Sequence, residues 1–378
     1  MTETIVPARS SAPKATLLPL AILTLAAITT QATAQTVEAA NDATRMQVPA
    51  AARLLPAPVG IGGAPVLPEG RFSLSYAARL VELDALLAGR HRVSPEWTVL
   101  NAPNPNAPPA QLRRVPISAT NWTQAVTASY GVTDWLSINA TLTYLNKSLE
   151  TVTFAGMSGT RRLGVTNEST EGLGDSRIGV NIRLLNDGED LLVAGLGLGL
   201  PTGSITETVR PLMPNGQIGY GRAGYMMQLG TGTYDLQPAL TWLGTRGHFG
   251  LGAAYRGRIG LEKENGEGYR YGDMHLVSGW VSYRVLPFLA TSARVQAISL
   301  GAINGRDPRM TGPGLGNDPA NIGGERVEGF LGLTANGMVP GVGPGSLGVE
   351  LGMPLYERAN GVHLAGGWSL TLSAMLRF

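Results

Sequence analysis

From Arg71 onward the chain repeats one pattern, a stretch of about ten residues in which apolar positions alternate with polar ones or glycine, followed by a turn rich in Gly, Asn or Asp. The clearest stretch sets Leu136, Ile138, Ala140, Leu142 and Tyr144 against Ser137, Asn139, Thr141 and Thr143. A period of two places successive side chains on opposite faces of an extended chain, so each stretch predicts a strand with one apolar and one polar face. Such strands are expected near residues 71, 122, 135, 175, 191, 231, 248, 273, 288, 324, 346 and 366. The connections alternate in length. Short turns are expected at 131–134, 186–190, 244–247, 284–287 and, more loosely, 337–345. Longer polar segments are expected as loops at 83–121, 146–174, 203–230, 260–272 and 301–323. Twelve antiparallel strands with short turns on one rim and long loops on the other describe an all-β, up-and-down transmembrane β-barrel. The even count returns both ends of the barrel to the short-turn side.

Composition removes the main alternatives. With 51 Gly and 25 Pro in 378 residues a helical bundle is excluded, because both residues destabilise helix interiors. A hydrophobic share of 43% is too high for a disordered chain and shows none of the excess of a polytopic helical membrane protein. The absence of Cys excludes disulfides, thiolate metal sites and a thiol nucleophile. A net charge of +2 makes nucleic acid an improbable partner, and Lys14, Lys147 and Lys263 are the only lysines among 29 basic residues.

At the N-terminus, Arg9 and Lys14 precede the apolar run Leu17 to Ile28 and the triplet Ala32-Thr33-Ala34. That is the order of a secretory signal peptide, and the run is shorter than the roughly 20 residues a spanning helix needs. Residues 1–34 are expected as the signal peptide, 35–70, rich in Ala and Pro, as a periplasmic tail or lumen plug, and 71–378 as the barrel. The last strand alternates Trp368, Leu370, Leu372, Ala374, Leu376 and Phe378 with polar positions, and its terminal aromatic resembles the signal that barrel assembly machinery reads. Tyr130, Trp135, Trp242, Phe249, Tyr283 and Phe288 fall beside the short turns, where an interfacial girdle against outer-membrane lipid belongs.

If the apolar face meets lipid, the polar face lines a lumen. It carries Arg177, Arg183, Arg256, Arg258, Arg294 and Arg326, the candidate solute-contacting residues, with fewer acids: Asp175, Asp235, Glu328 and Glu350. Arginines in a low-dielectric cavity favour anionic solutes and bind carboxylate bidentately. The alternative is that Arg and carboxylate pairs only brace the wall. Setting Leu243 opposite His248 predicts one such pair, Asp235 with Arg256. Glycines alternating with leucines at Gly195, Gly197 and Gly199 make room in the lumen. Neither a catalytic arrangement around His91, His248, His275 and His363 nor a metal-ligand spacing is legible, and no cofactor is expected. Glu171, Asp175, Asp187 and Asp190 could bind a divalent cation, but the preferred reading is solvated loop charge.

Several segments together resemble the family of outer-membrane transporters labelled for the meta-pathway of phenol degradation. They are Tyr130 to Leu136, Gly172-Leu173-Gly174-Asp175, Leu198 to Gly203, Gly230 to Leu236, Gly323 to Arg326 and the stretch Gly348 to Asn360. The resemblance implies a barrel in the bacterial outer membrane that passes small organic solutes, aromatic ones by the family's label. The absence of a Met/His cluster argues against a dedicated copper channel. Two other functions remain open: a structural or adhesive barrel with a closed lumen, and a hydrolase with a site on a loop or at the rim.

Overall fold

The structure is a computed structural model that describes residues 54–61, 66–106 and 108–378, all within one compact unit, Pro49–Phe378. The predicted signal peptide and residues 35–53 and 62–65 of the predicted tail lie outside the described residues. Twelve strands form the barrel: β1 (Phe72–Leu83), β2 (Arg114–Thr133), β3 (Leu136–Phe154), β4 (Ser176–Asn186), β5 (Asp190–Leu200), β6 (Asp235–Arg246), β7 (Phe249–Gly260), β8 (Met274–Leu286), β9 (Leu289–Leu300), β10 (Gly324–Val339), β11 (Gly343–Ala359) and β12 (Trp368–Arg377). Each pairs antiparallel with the next, and β12 returns to β1 with Leu74 opposite Leu376 and Leu80 opposite Leu370. Closure leaves no edge strand, the only way a sheet can satisfy its backbone inside hydrocarbon. Among the described residues no helix is long and apolar enough to cross a membrane.

The barrel is inside out relative to a water-soluble one. Leu142, Val277 and Leu331 point outward and are 61%, 56% and 71% exposed, whereas Ser137 and Glu350 point inward and are 0% and 1% exposed. Outward-facing aromatics form two belts. Phe72, Tyr130, Trp135, Phe249, Tyr283, Phe288 and Phe378 ring the short-turn end, and Tyr144, Tyr234 and Trp368 lie toward the other, as two membrane interfaces require. Phe378 closes its own strand, its amide donating to the Phe72 carbonyl at 2.8 Å and its ring 5.9 Å from that of Phe72.

Of the segments expected as loops, 146–174 is largely strand and 83–121 is strand in part. β2 already begins at Arg114, and β3 continues to Phe154, where Arg162–Leu173 returns along it from Phe154–Arg162 down to Tyr144–Leu173. The outward pairs in this extension are polar: Asn146 with Glu171, Ser148 with Asn167, and Ser118 with Glu150. With water on the outer face the apolar alternation disappears although the ladder continues.

The remaining long connections pack into a cap. Strands Ala85–Ala88, His91–Val93 and Val362–Ala365 form a small sheet, and helix α1 (Pro95–Asn101) is capped by Ser94, whose hydroxyl accepts from the Trp97 amide at 3.0 Å. Leu112, Val115, Val152, Phe154 and Leu315 form its core. Glu96 and Arg162 join helix to hairpin at 2.6 Å, and the guanidinium holds the carboxyl below its ordinary range. This pair is half exposed and contributes little to stability.

Candidate functional site

Strands β9, β10 and β11 carry a continuous polar ladder on the lumen wall. Arg294 grips Glu350 with two bonds, Nε to Oε1 at 3.0 Å and Nη2 to Oε2 at 2.6 Å, and its third nitrogen donates to Gln296 Oε1 at 2.6 Å. The Gln296 amide passes the chain to Glu328 at 3.1 Å, and Glu328 meets Arg326 at 3.2 Å and Arg79 at 3.6 Å. Arg326 reaches on to Glu357 at 2.9 Å. The Arg294 guanidinium also lies over the Phe330 ring at 3.7 Å. Two of the six predicted solute contacts, Arg294 and Arg326, are therefore neutralised by wall carboxylates.

A third, Arg258, pairs with Asp235 at 3.6 Å, donates to the Gly272 carbonyl and sits over Tyr271. The expected partnership of Asp235 with Arg256 is incorrect. The β6–β7 turn is the two residues Gly247 and His248, so Arg246 faces Phe249 and Arg256 falls opposite Ala239. Gly247 has φ +62°, which lets the turn close that tightly. Arg183 donates to the carbonyl of Val66 at 2.9 Å. Arg177 and Arg256 lie on the wall formed by β4 to β7, where Gly195, Gly197 and Gly199 face inward.

Residues 54–61 and 66–70 run along the inner wall at the short-turn end. The Leu55 amide donates to Thr245 Oγ1 at 2.9 Å, Gly60 to Glu350 Oε2 at 3.1 Å and Leu67 to Ser137 Oγ at 2.8 Å. Ile61 packs on Trp280 and Ala254, and Val66 on Leu191 and Val193. At Gly60 any side chain would collide with Arg294 and Glu350, so the segment passes directly over that ion pair.

At the opposite end three of the sequence motifs meet. The Asp175 carboxylate accepts from the amide of Gly203 (3.0 Å) and from both amide and hydroxyl of Thr231 (2.7 and 2.9 Å). The Thr202 hydroxyl donates to the Gly174 carbonyl at 2.9 Å and accepts from the Ser176 amide at 2.8 Å. Gly203 and Gly230 approach each other so closely that a Cβ on either would strike the other's backbone. The stretches 172–175, 198–203 and 230–236 thus form one clasp at the base of the long loop. Asp175 is not a solvated charge, and burial pushes its carboxyl above the ordinary range against the effect of its donors. Hydrogen bonds to a charged acceptor are worth about 1.5–3 kcal/mol each. Asp175→Ala is expected to release the loop, read as faster tryptic cleavage at the exposed Arg210, with Asp175→Asn intermediate.

The histidines are dispersed. His275 Nδ1 meets the Tyr255 hydroxyl at 2.9 Å, His363 Nδ1 the Asn321 carbonyl at 3.0 Å, and His248 stands in a turn beside Tyr283. Among the described residues none of the four histidines bonds to a carboxylate, and no cluster of acids and histidines could hold a metal ion.

No family model matches the chain, and no curated protein matches it. Solved structures do. An outer-membrane channel from Pseudomonas putida F1 aligns over 84% of this chain and 100% of its own, with TM-score 0.51 and 14% identity. A FadL homologue from Pseudomonas aeruginosa aligns over 85% and 99% (TM-score 0.43, 11% identity), and the toluene transporter TbuX from Ralstonia pickettii over 85% and 91% (TM-score 0.40, 11% identity). At such identities the likeness is one of fold: the chain is a closed, twelve-stranded antiparallel barrel similar to that of the Pseudomonas putida channel.

Proposed function

We propose that this protein is an outer-membrane channel that passively admits small organic solutes, with aromatic and anionic compounds as its preferred class. The observation that carries this reading is the inside-out barrel, whose apolar outer band is bounded by aromatic belts and whose polar lumen is lined by arginines, serines, threonines and glycines. An apolar exterior of that kind is stable in lipid, and twelve strands enclose an interior whose opening is set by the side chains that line it. Residues 1–34 act as the export signal and Phe378 as the recognition element for barrel assembly machinery. Residues 35–70 act as a plug at the periplasmic end, and the cap faces outward. The family resemblance and the outer-membrane channel and transporter neighbours support the same reading.

Planar-bilayer recording of the refolded mature protein tests it, with chloride and benzoate compared and selectivity read from the reversal potential. Discrete anion-selective openings that benzoate carries or blocks are expected. A folded barrel that stays silent both with and without residues 35–70 overturns the channel reading and leaves a structural barrel.

A further inference from the structure

At the end opposite the short turns, a segment of the β5–β6 connection is held to the inner wall by a lysine. Lys147 lies on the same face of β3 as Ser137 and Asn139, opposite Thr170 of the return strand Arg162–Leu173. Its Nζ donates to the carbonyls of Met226 at 2.9 Å and Gln228 at 2.5 Å, and Thr170 Oγ1 donates to the Met227 carbonyl between them at 2.7 Å. Three successive carbonyls are thus captured by the wall. Among the described residues no carboxylate bonds to the Lys147 ammonium. The opposite charge that acts on it is that of Asp175, whose oxygens already accept from Gly203 and Thr231.

On its other side the segment is fixed to the neighbouring loops. Arg222 pairs with Glu267 of the β7–β8 connection and with Asp307 of the β9–β10 connection, each at 3.2 Å. The Tyr225 hydroxyl accepts from the Asp307 amide at 3.1 Å, and the Tyr225 ring meets that of Tyr269 edge-on with centroids 4.9 Å apart. Met226 packs against the apolar core of the cap. Residues 222–228 therefore lie between wall and cap as a lid, and Lys147 supplies the charged contact on the wall side.

We infer that Lys147 is a recognition site for the carboxylate of an entering solute, and that binding there frees the lid from the wall. An ammonium group has three donors and no acceptor, so it must be satisfied by oxygen. A carboxylate offers the same hydrogen bonds as a carbonyl and adds the attraction of a full opposite charge, which is larger away from bulk water. A solute that takes over Lys147 leaves Met226 and Gln228 without their donor. It therefore binds the state in which the lid has lifted, and its differential affinity for that state shifts the population towards it. Asp175 holds Gly203 and Thr231, the two ends of the β5–β6 connection, so the loop keeps a fixed base while its wall contact exchanges. A neutral solute carries no charge to compete with the carbonyls and leaves the lid closed.

The inference rests on the channel reading for the solute's route, but its test needs no conduction. Limited trypsin digestion of the folded, detergent-solubilised mature protein is read at Arg222, whose side chain is 5% exposed under the closed lid, with the exposed Arg161 as internal reference. At constant ionic strength, replacing chloride by benzoate is expected to speed cleavage after Arg222 severalfold, and adding neutral benzyl alcohol is not. Lys147→Met is expected to be cleaved at the faster rate without benzoate and to gain nothing from it. Because the chain has no cysteine, Thr170→Cys combined with Met227→Cys can be joined by a short reducible thiol crosslinker. The joined lid is expected to stay resistant at Arg222 in benzoate and to become cleavable on reduction. Heat-modifiable migration on gels confirms that each variant is folded. Cleavage that benzoate leaves unchanged in the wild type, or quickens equally in Lys147→Met or in the joined lid, overturns the inference. Benzoate-dependent cleavage in a barrel that stays silent in the bilayer overturns the channel reading instead.

Discussion

Removal of residues 35–70 from the mature chain is expected to raise single-channel conductance severalfold and to leave the barrel folded. The two halves of that expectation come from different contacts. The closed ladder of twelve strands contains no residue before Phe72, so every interstrand hydrogen bond survives the deletion. What the deletion removes is a segment on the inner wall whose Leu55, Gly60 and Leu67 amides bond to Thr245, Glu350 and Ser137, on strands β6, β11 and β3. A chain tied to three separated strands obstructs the cross-section between them. Its departure also uncovers Trp280, now 6% exposed beneath Ile61, so acrylamide should quench tryptophan fluorescence more strongly in the shortened protein. Gly60→Leu gives a milder version, since its side chain has no space above Arg294 and Glu350. Unchanged conductance combined with greater quenching would mean that lumen side chains, and not this segment, set the resistance.

The parts of this molecule that could be read from its sequence share one physical property, a regular difference between the two faces of a strand. Ser137 to Tyr144 shows its outward face because lipid demands an unbroken apolar row there, and the same demand repeated twelve times makes the strand count legible. Where lipid ends the signal ends too. Ser118, Asn146 and Ser148 continue their strands with polar pairs on the water side, which reads as a loop. Ion pairing was harder to read because it depends on register. Taking four residues rather than two in the β6–β7 turn exchanges the lumen partner of Asp235 from Arg258 to Arg256. The motifs around Gly172, Leu198 and Gly230 were visible as strings, but their convergence on Asp175 depends on strands separated by long loops. Residues 54–61 carry no periodicity because they follow a curved inner wall through single hydrogen bonds and belong to no sheet.

Glu350→Ala is expected to be the most destabilising single change in the lumen. The Glu350 side chain is 0% exposed and that of Arg294 is 2% exposed, and together they form a two-bond pair. Truncating one member of such a pair leaves a buried guanidinium with its desolvation uncompensated, a cost of about 3–5 kcal/mol. The Gln296 carbonyl and the Phe330 face remain as partners, but neither carries a balancing charge. The loss should appear as a lower midpoint for the heat-induced shift between folded and unfolded gel migration. Glu96→Ala, at the exposed pair with Arg162, should move that midpoint little, because exposed pairs contribute about 0–1 kcal/mol. The decisive comparison is the double variant Arg294→Met with Glu350→Leu. If the cost of Glu350→Ala is mainly that of a stranded charge, removing both charges should recover much of the lost stability. If the double variant is as unstable as the single one, the pair contributes through its bonds to Gln296 and Gly60, and the ladder acts as one cooperative unit. Either result also bears on the plug, because Glu350 is the acceptor for the Gly60 amide and its loss should loosen that segment along with the wall.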